Sequence, residues 1–552
     1  MRLKHQLGDH KIEREVNPGV PVGFFISNKI GGMLFFDAKN DTTQYYARIA
    51  GNTIKVINDI NIEGSIIGVA NLFHSLEIER EQHRHELFAP YYTNGMIIRS
   101  RTEGPLQVVM GAKDLATSSE SSQHSVSERG GRVIIRSAHP SSQEGSYIYT
   151  AVQGEELRYD HDIKSGSKVF NLGLFSPRIA IAMSDSEEEA IATANHIFNN
   201  EDKIRSMQEG YICPATRFSD PEAALAYACV LNATDHLFFP DEKKKNTLSP
   251  VPHFTDVSGP HMSIAAHALV TDGEFSIVKR TLLTELEQKH ILARQGNSNF
   301  EDIAWPVMLF GRLLNRLCSE NKLYSYFSRD EISTAAARID AVTRILAQRY
   351  GDGVSVLNTE HGTRPESNAL MISLYNLAYA FTRSHDHLES ERALVDKTRG
   401  MIFSIVADMR VKGSASNAEV NSLFLSAYIH PLLLSEKEWK DCFDTLLESI
   451  HHSFGTLHSK IISGKNDNPL ELEHFGIASL AALVLNRLDS ERYESDINKI
   501  LRNAISDVLY KGLIGRPTSA FDHGAGNEKS TLVKNAHLLN NALFLEMLRE
   551  CA

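Results

Sequence analysis

The chain is poor in tryptophan and cysteine. Two tryptophans and five cysteines stand among 552 residues. Cys213, Cys229, Cys318, Cys442 and Cys551 are odd in number, scattered, and never in Cys-x-x-Cys spacing. That argues against a disulfide framework or a zinc site and fits a reducing compartment. No apolar run approaches the length that crosses a bilayer. The polar start Met1-Arg2-Leu3-Lys4-His5 lacks the apolar stretch of a signal peptide. A cytoplasmic protein without a membrane partner is the expectation. Concentrated positive charge is missing too: 57 Lys and Arg face 69 Asp and Glu, for a net charge of −12, with the signs mixed. A nucleic-acid grip needs clustered Lys and Arg. The single basic run, Lys243-Lys244-Lys245, sits beside Asp241 and Glu242 and reads as a solvated loop. No His-Glu-x-x-His or similar i, i+4 ligand pair, P-loop, dinucleotide fingerprint or Gly-x-Ser-x-Gly elbow is present. No metal and no cofactor are expected.

What is present divides in two. Up to about residue 200 the sequence reads mainly as strands. Gly23–Ser27, Met33–Phe36, Tyr45–Ile49, Thr53–Ile57 and Arg132–Arg136 are β-branched or aromatic, with Gly, Asn, Asp and Ser between them. Ser118–Gln123 reads as a mobile loop. An antiparallel β-sandwich over 1–184 follows. From Asp185 the period changes. Ser186-Glu187-Glu188-Glu189 opens a helix with acids in its first turn, bridging the domains over 185–214.

Residues 215–552 read as twelve helical stretches: 220–238, 260–271, 274–289, 300–320, 329–350, 367–383, 388–409, 420–429, 436–454, 474–486, 490–509 and 531–549. Connections after the even helices are short, and those before them are mostly longer and polar. The even helices are small and apolar, as in Ile477–Val484, and suit an inner ring; the charged odd ones suit an outer ring. The pattern predicts an (α/α)6 toroid whose mouth lies at the N-termini of the inner helices, where free N–H groups gather. The whole is an α+β multidomain chain.

Polar residues cluster at those helix starts. Glu301 and Asp302 lie one turn before Trp305. They are either dipole partners or carboxylates beside an aromatic face on which a sugar ring stacks; desolvation by that ring would raise a carboxyl pKa, as a general acid requires. Asp256 and His261 flank a Gly-Pro entry, as hydroxyl ligands or helix caps. Glu366-Ser367-Asn368 and His474 with Glu473 offer the same choice between sugar hydroxyls and a bland cap or solvated loop. Asp522, within Asp522-His523-Gly524-Ala525-Gly526-Asn527-Glu528, supplies a second carboxylate.

Pro252-His253-Phe254-Thr255-Asp256 through Glu274-Phe275, then Asn299 to Trp305, Glu366-Ser367-Asn368-Ala369-Leu370, His474-Phe475-Gly476 and Phe521-Asp522 together resemble the motifs of the glycogen debranching enzyme family, the amylo-α-1,6-glucosidases. Ile26-Ser27-Asn28 with Gly31-Gly32 and Tyr45-Tyr46 is similar to that family's opening. The resemblance runs in order along nearly the whole chain. It implies a β-sandwich followed by a six-hairpin glycosidase toroid, inverting hydrolysis of an α-glucosidic linkage in a glycogen-like glucan or oligosaccharide, and Asp302 as general acid. With that reading, Asp256, His261, Glu301, Trp305, Glu366, Asn368 and His474 at the helix starts are the candidate substrate contacts.

An inverting site needs a second carboxylate about 6.5–9.5 Å from the first. The family's base position holds Ser519-Ala520 here, so Asp522 or Glu528 would substitute. The family's Arg-Asp at the second helix is Pro260-His261. These departures keep a catalytically degenerate glycan-binding relative as the alternative. A different toroid enzyme, a lyase or epimerase with His261 or His474 as base, is the third reading.

Overall fold

The computed structural model describes the chain apart from residues 9, 18–19, 21, 101–105, 116, 141–145, 165, 213–217, 237–238, 242–246, 250–274, 297–299, 351–363, 455–476 and 515–537. The side chain of Asp302 falls outside the described set as well. So do the helix expected over 260–271 and the Lys243–Lys245 loop.

Strands fill the N-terminal part in two sheets. One runs, neighbour to neighbour, His124–Arg129, Arg132–Ala138, Tyr147–Gly154, Arg178–Ser184, Gly95–Ser100, Arg84–Phe88, Ser75–Arg80, Ile66–Asn71, Arg2–Leu7 and His10–Glu15. The other runs Arg158–Asp162, Val169–Phe175, Leu106–Asp114, Asn52–Asn61, Thr42–Ile49, Met33–Asp37, Val22–Ser27 and Gly512–Leu513. Period-2 alternation sorts the side chains between faces. On Gly95–Ser100, Met96 and Ile98 join a core that includes side chains of both sheets. Ile97 turns the other way and packs with Ala180, Ala182 and a covering helix. Asn28 and the two glycines near it build a tight turn. The Asn28 carboxamide oxygen accepts from Gly32 N at 2.7 Å and from Ile30 N at 3.1 Å. Gly31 takes φ +94°, a region that disfavours any side chain.

The covering helix is α1 (Glu187–Asn199), capped by Ser186, whose hydroxyl accepts from Glu189 N at 3.4 Å. A second short helix, α2 (Glu201–Glu209), follows it and is not evident in the sequence. Glu201 at its start is 1 % exposed and pairs with Arg99 at 2.8 Å and Arg205 at 2.8 Å, tying the helix to the sheet. The expected mobile loop at Ser118–Gln123 is instead pinned. Asp114 N bonds Ser119 O, Ser121 N bonds Ala112 O, and Glu120 holds Lys113 and Lys168.

The remainder is helical, with two brief strand pairings. The helices are α3 (Pro221–His236), α4 (Phe275–Gln295), α5 (Phe300–Ser319), α6 (Leu323–Tyr326), α7 (Arg329–Tyr350), α8 (Pro365–Thr382), α9 (His385–Lys412), α10 (Asn417–Ile429), α11 (Glu436–Phe454), α12 (Ile477–Asp489), α13 (Glu494–Tyr510) and α14 (Leu538–Cys551). They arrange in two layers. In the inner layer α5 packs on α8, α8 on α10, α10 on α12 and α12 on α14. Around it α4 lies against α7 and α9 against α11. Helix α8 is buried on every side from Pro365 to Tyr375, as an inner position demands. Gly311 on α5 lets Leu377 of α8 approach so closely that a Cβ there would meet its Cδ1 at 2.3 Å.

The expectation that every odd-numbered stretch carries a charged, solvated face fails at α3. Ala223 through Leu231 are all buried, because α3 lies between α13 and α14 on one side and the strands His10–Glu15 and Val22–Ser27 on the other. Here the helices meet the sheets. The strand Gly512–Leu513 pairs in parallel with Val22–Gly23. His5, fully buried, hydrogen-bonds the Leu509 carbonyl through Nε2 at 2.6 Å and meets Asn71 through Nδ1 at 3.3 Å. At the C-terminal ends of the inner helices, Arg312 donates to the carbonyls of Tyr428 and Ile429. Tyr428 donates to Glu546, which with Glu550 holds Arg487. Four helices are joined there by one polar belt. No described helix is long and apolar enough to cross a membrane.

Candidate functional site

The opposite ends of the inner helices bring three of the sequence candidates, Glu301, Glu366 and Asn368, together. Helix α8 begins where Arg364 adopts an extended backbone (φ −122°, ψ 142°) and Pro365 occupies the first helical position. Proline suits that place because its fixed φ is helical and its missing N–H has no partner to lose. Glu366 therefore falls in the first turn, where the free N–H groups favour a carboxylate. Its own backbone N–H and the Ser422 side chain from α10 lie near its carboxyl and favour the charged form.

One Glu366 oxygen, Oε2, has no hydrogen-bond partner among the described residues, although the residue is only 8 % exposed. Burial raises its pKa; Ser422, its own N–H and Arg364 counter that in part, and the nearby Glu301 charge adds to the rise. A carboxyl so placed favours its neutral form, which donates as well as accepts.

Glu301 enters from the start of α5. The Ser367 hydroxyl donates to Glu301 Oε1 at 3.0 Å, so the first turns of α5 and α8 are linked directly. Phe300 sets that turn in place, 1 % exposed and edge-on to Tyr350 at 5.6 Å between centroids. Pro306, inside α5, removes the N–H that the Asp302 carbonyl would normally receive. Asn368 is fully buried and places Nδ2 3.4 Å from Met401 Sδ of α9. Helix α10 starts with a capping box, Ser416 with Glu419. Asn421 and Ser422 bring two buried polar side chains to its second turn.

The structure thus gathers Glu301, Glu366 and Asn368 at adjoining helix starts and adds Ser367 and Ser422. Trp305 is 4 % exposed and lies in the main apolar core, held by packing rather than presented as an open face. Asp256, His261, His474 and Asp522 lie outside the described residues, and Asp302 is described only as part of the α5 backbone. Ser422 and Asn421 were the residues missed. Their signal was a polar pair next to the apolar run Leu423–Leu425. Among the described residues no group of three or more His, Cys, Asp or Glu is placed to hold a metal. The four described cysteines are free thiols.

Neither a protein-family profile nor a curated protein matches the chain. Solved structures do. A family GH92 alpha-mannosidase from Bacteroides thetaiotaomicron is similar at 11% identity, with 86% of this chain and 69% of that one covered and a TM-score of 0.42. A putative kojibiose phosphorylase from human microbiome is similar at 7% identity, over 94% of this chain and 75% of that one, with a TM-score of 0.44. A family 76 glycoside hydrolase from a bovine Bacteroides thetaiotaomicron strain is similar at 11% identity, over 78% of this chain and all of that one, with a TM-score of 0.34.

Proposed function

We propose that the chain is a cytoplasmic glycoside hydrolase, resembling the amylo-α-1,6-glucosidases, that hydrolyses α-glucosidic linkages in a glycogen-like glucan or oligosaccharide with inversion at the anomeric carbon and without a cofactor. The helical part, 215–552, would be an (α/α)6 toroid with its mouth at the inner-helix N-termini. It would be preceded by a sandwich over 1–184 and a bridge over 185–214. One observation carries the reading. Two carboxyls at neighbouring inner-helix starts, Glu301 and Glu366, lie close enough to interact, Ser367 donates to Glu301, and Glu366 keeps a buried oxygen with no hydrogen-bond partner among the described residues. Burying a polar atom unsatisfied costs roughly 1–3 kcal/mol, a cost that a ligand hydroxyl would relieve.

In this reading Asp302 protonates the leaving oxygen, and Asp522 or another carboxylate of the tail activates water. Glu301, Glu366, Asn368, Asp256, His261 and His474 hold sugar hydroxyls. Trp305 keeps the first turns of α5 seated in the core. Ser519-Ala520 at the family's base position favours a second reading, a glycan-binding relative that no longer hydrolyses. The test is glucose release from a branched limit dextrin by the wild type, Asp302→Asn and Glu366→Gln. Release that disappears in Asp302→Asn supports the catalytic reading. Release unchanged by that substitution removes Asp302 from the chemistry. Binding of the dextrin without release establishes the second reading.

A further inference from the structure

A groove crosses the sheet that begins at His10–Glu15, away from the helix starts. It consists of two adjoining cavities of about 300 and about 160 Å³ that share Glu77 and Arg84 as a common wall. The larger is bordered by Arg99, Arg178, Glu86 and Glu155, and the smaller by Arg2, Lys4, Lys11, Glu13 and Glu79. Acidic and basic side chains are in near balance, and they are held in place by one another. Arg178 pairs with Glu155 at 2.9 Å, Arg99 with Glu201 at 2.8 Å, Arg2 with Glu79 at 2.7 Å, and Arg84 with Glu77.

Behind the larger cavity, Arg178 Nε and Nδ1 of His85, a residue 3 % exposed, are buried with no hydrogen-bond partner among the described residues. Burial keeps His85 neutral, with its pKa brought down to about 3. The surroundings therefore offer donors and acceptors together, fixed in position, with little net charge.

Such a surface discriminates by hydrogen bonding. An anion meets Glu77, Glu86 and Glu155; a cation meets Arg84, Arg99 and Arg178. A hydroxyl both donates and accepts, so a row of hydroxyls satisfies both kinds of group at no cost in unpaired charge. The lining residues of the two cavities come mostly from seven neighbouring strands, from Arg178–Ser184 across to His10–Glu15, which suits a chain rather than a compact molecule. We propose that this groove is a second binding site, one that takes a neutral linear oligosaccharide lengthwise across the sheet. The proposal does not depend on hydrolysis at the helical mouth.

The experiment is calorimetric titration of the full chain with α-glucan, α-mannan and β-glucan oligosaccharides of increasing length. It is run in wild type, in Glu366→Gln, in the doubly substituted Glu77→Ala/Arg84→Ala and in Glu155→Ala, with heparin as a charged comparison. At least one neutral series should bind, more tightly as it lengthens. Glu366→Gln, which alters the helical mouth, should leave the part of that binding that depends on Glu77 and Arg84 in place. Glu77→Ala/Arg84→Ala should weaken it about tenfold or more, the loss expected of charge-assisted hydrogen bonds, and Glu155→Ala should weaken it less, each with an unchanged melting temperature. Absence of binding by every neutral series, binding of heparin alone, or equal binding by wild type and Glu77→Ala/Arg84→Ala would each overturn the proposal. Binding that vanishes in Glu366→Gln places the ligand at the helical mouth and overturns it as well.

Discussion

The Ser367 hydroxyl reaches across from α8 to Glu301 of α5, a 3.0 Å hydrogen bond between the first turns of two neighbouring inner helices. It brings a negative charge near a second carboxyl, Glu366, that is already desolvated. The two effects act in one direction on Glu366 and make its protonation a property of how the helices are arranged.

Replacing Glu366 by Gln is expected to flatten the pH dependence of stability. The folded pKa of Glu366 lies above its unfolded value of 4.5. Its contribution is therefore whole below 4.5 and is lost as pH rises through the higher folded value. Urea unfolding at about pH 5 and about pH 8 should show Glu366→Gln gaining on the wild type with rising pH. A difference that is constant with pH would mean that Glu366 is not desolvated as described.

His5 acts in the opposite sense. Burial takes its pKa from 6.5 to about 4, so the unfolded chain binds the proton more readily. Stability is full above 6.5 and declines as pH falls towards 4, by on the order of 3 kcal/mol in total. His5→Gln should remove that part of the acid sensitivity at the junction between strands and helices. Thermal melts across this pH range would read it.

Arg312→Met should destabilise the helical part by roughly 2–4 kcal/mol, because the carbonyls of Tyr428 and Ile429 lose a charged donor. The midpoint of urea unfolding is the measurement. A loss below the range of a single neutral hydrogen bond would show that the belt at these helix ends is not a joint.

Gly311→Ala sets helix propensity against packing. Alanine is favoured over glycine within a helix by about 1 kcal/mol. Against that, the new Cβ would meet Leu377 Cδ1 at 2.3 Å, and overpacking costs about 1–3 kcal/mol. Net destabilisation is expected, and Leu377→Ala in the same chain should show positive coupling in a double-mutant cycle.

Period alone places much of this fold. The β-branched runs became strands, and the stretches at 300–320, 329–350 and 436–454 became helices to within a residue of their ends, because amphipathic spacing and capping act over one or two turns. Glu366 and Asn368 were readable as candidates because a helix start is itself a local signal. Which helix faces solvent was not readable, since α3 is buried by two helices and two strands that all lie far from it in the chain. The link from Ser367 to Glu301 and the contribution of Ser422 were equally hidden. They join residues 66 positions apart in one case and two separate helices in the other.

What the sequence determined by itself is which of its most regular runs form strands or helices, to within a few residues, and which polar residues stand near the helix starts, because these depend on neighbours within a turn. Only the tertiary structure decided that Trp305 is packed into the core, that the scarce cysteines it describes stay unpaired, and that a Glu366 oxygen is buried without a partner among the described residues. Burial and the absence of a partner are set by whatever surrounds a group in space, and those surroundings come from distant parts of the chain.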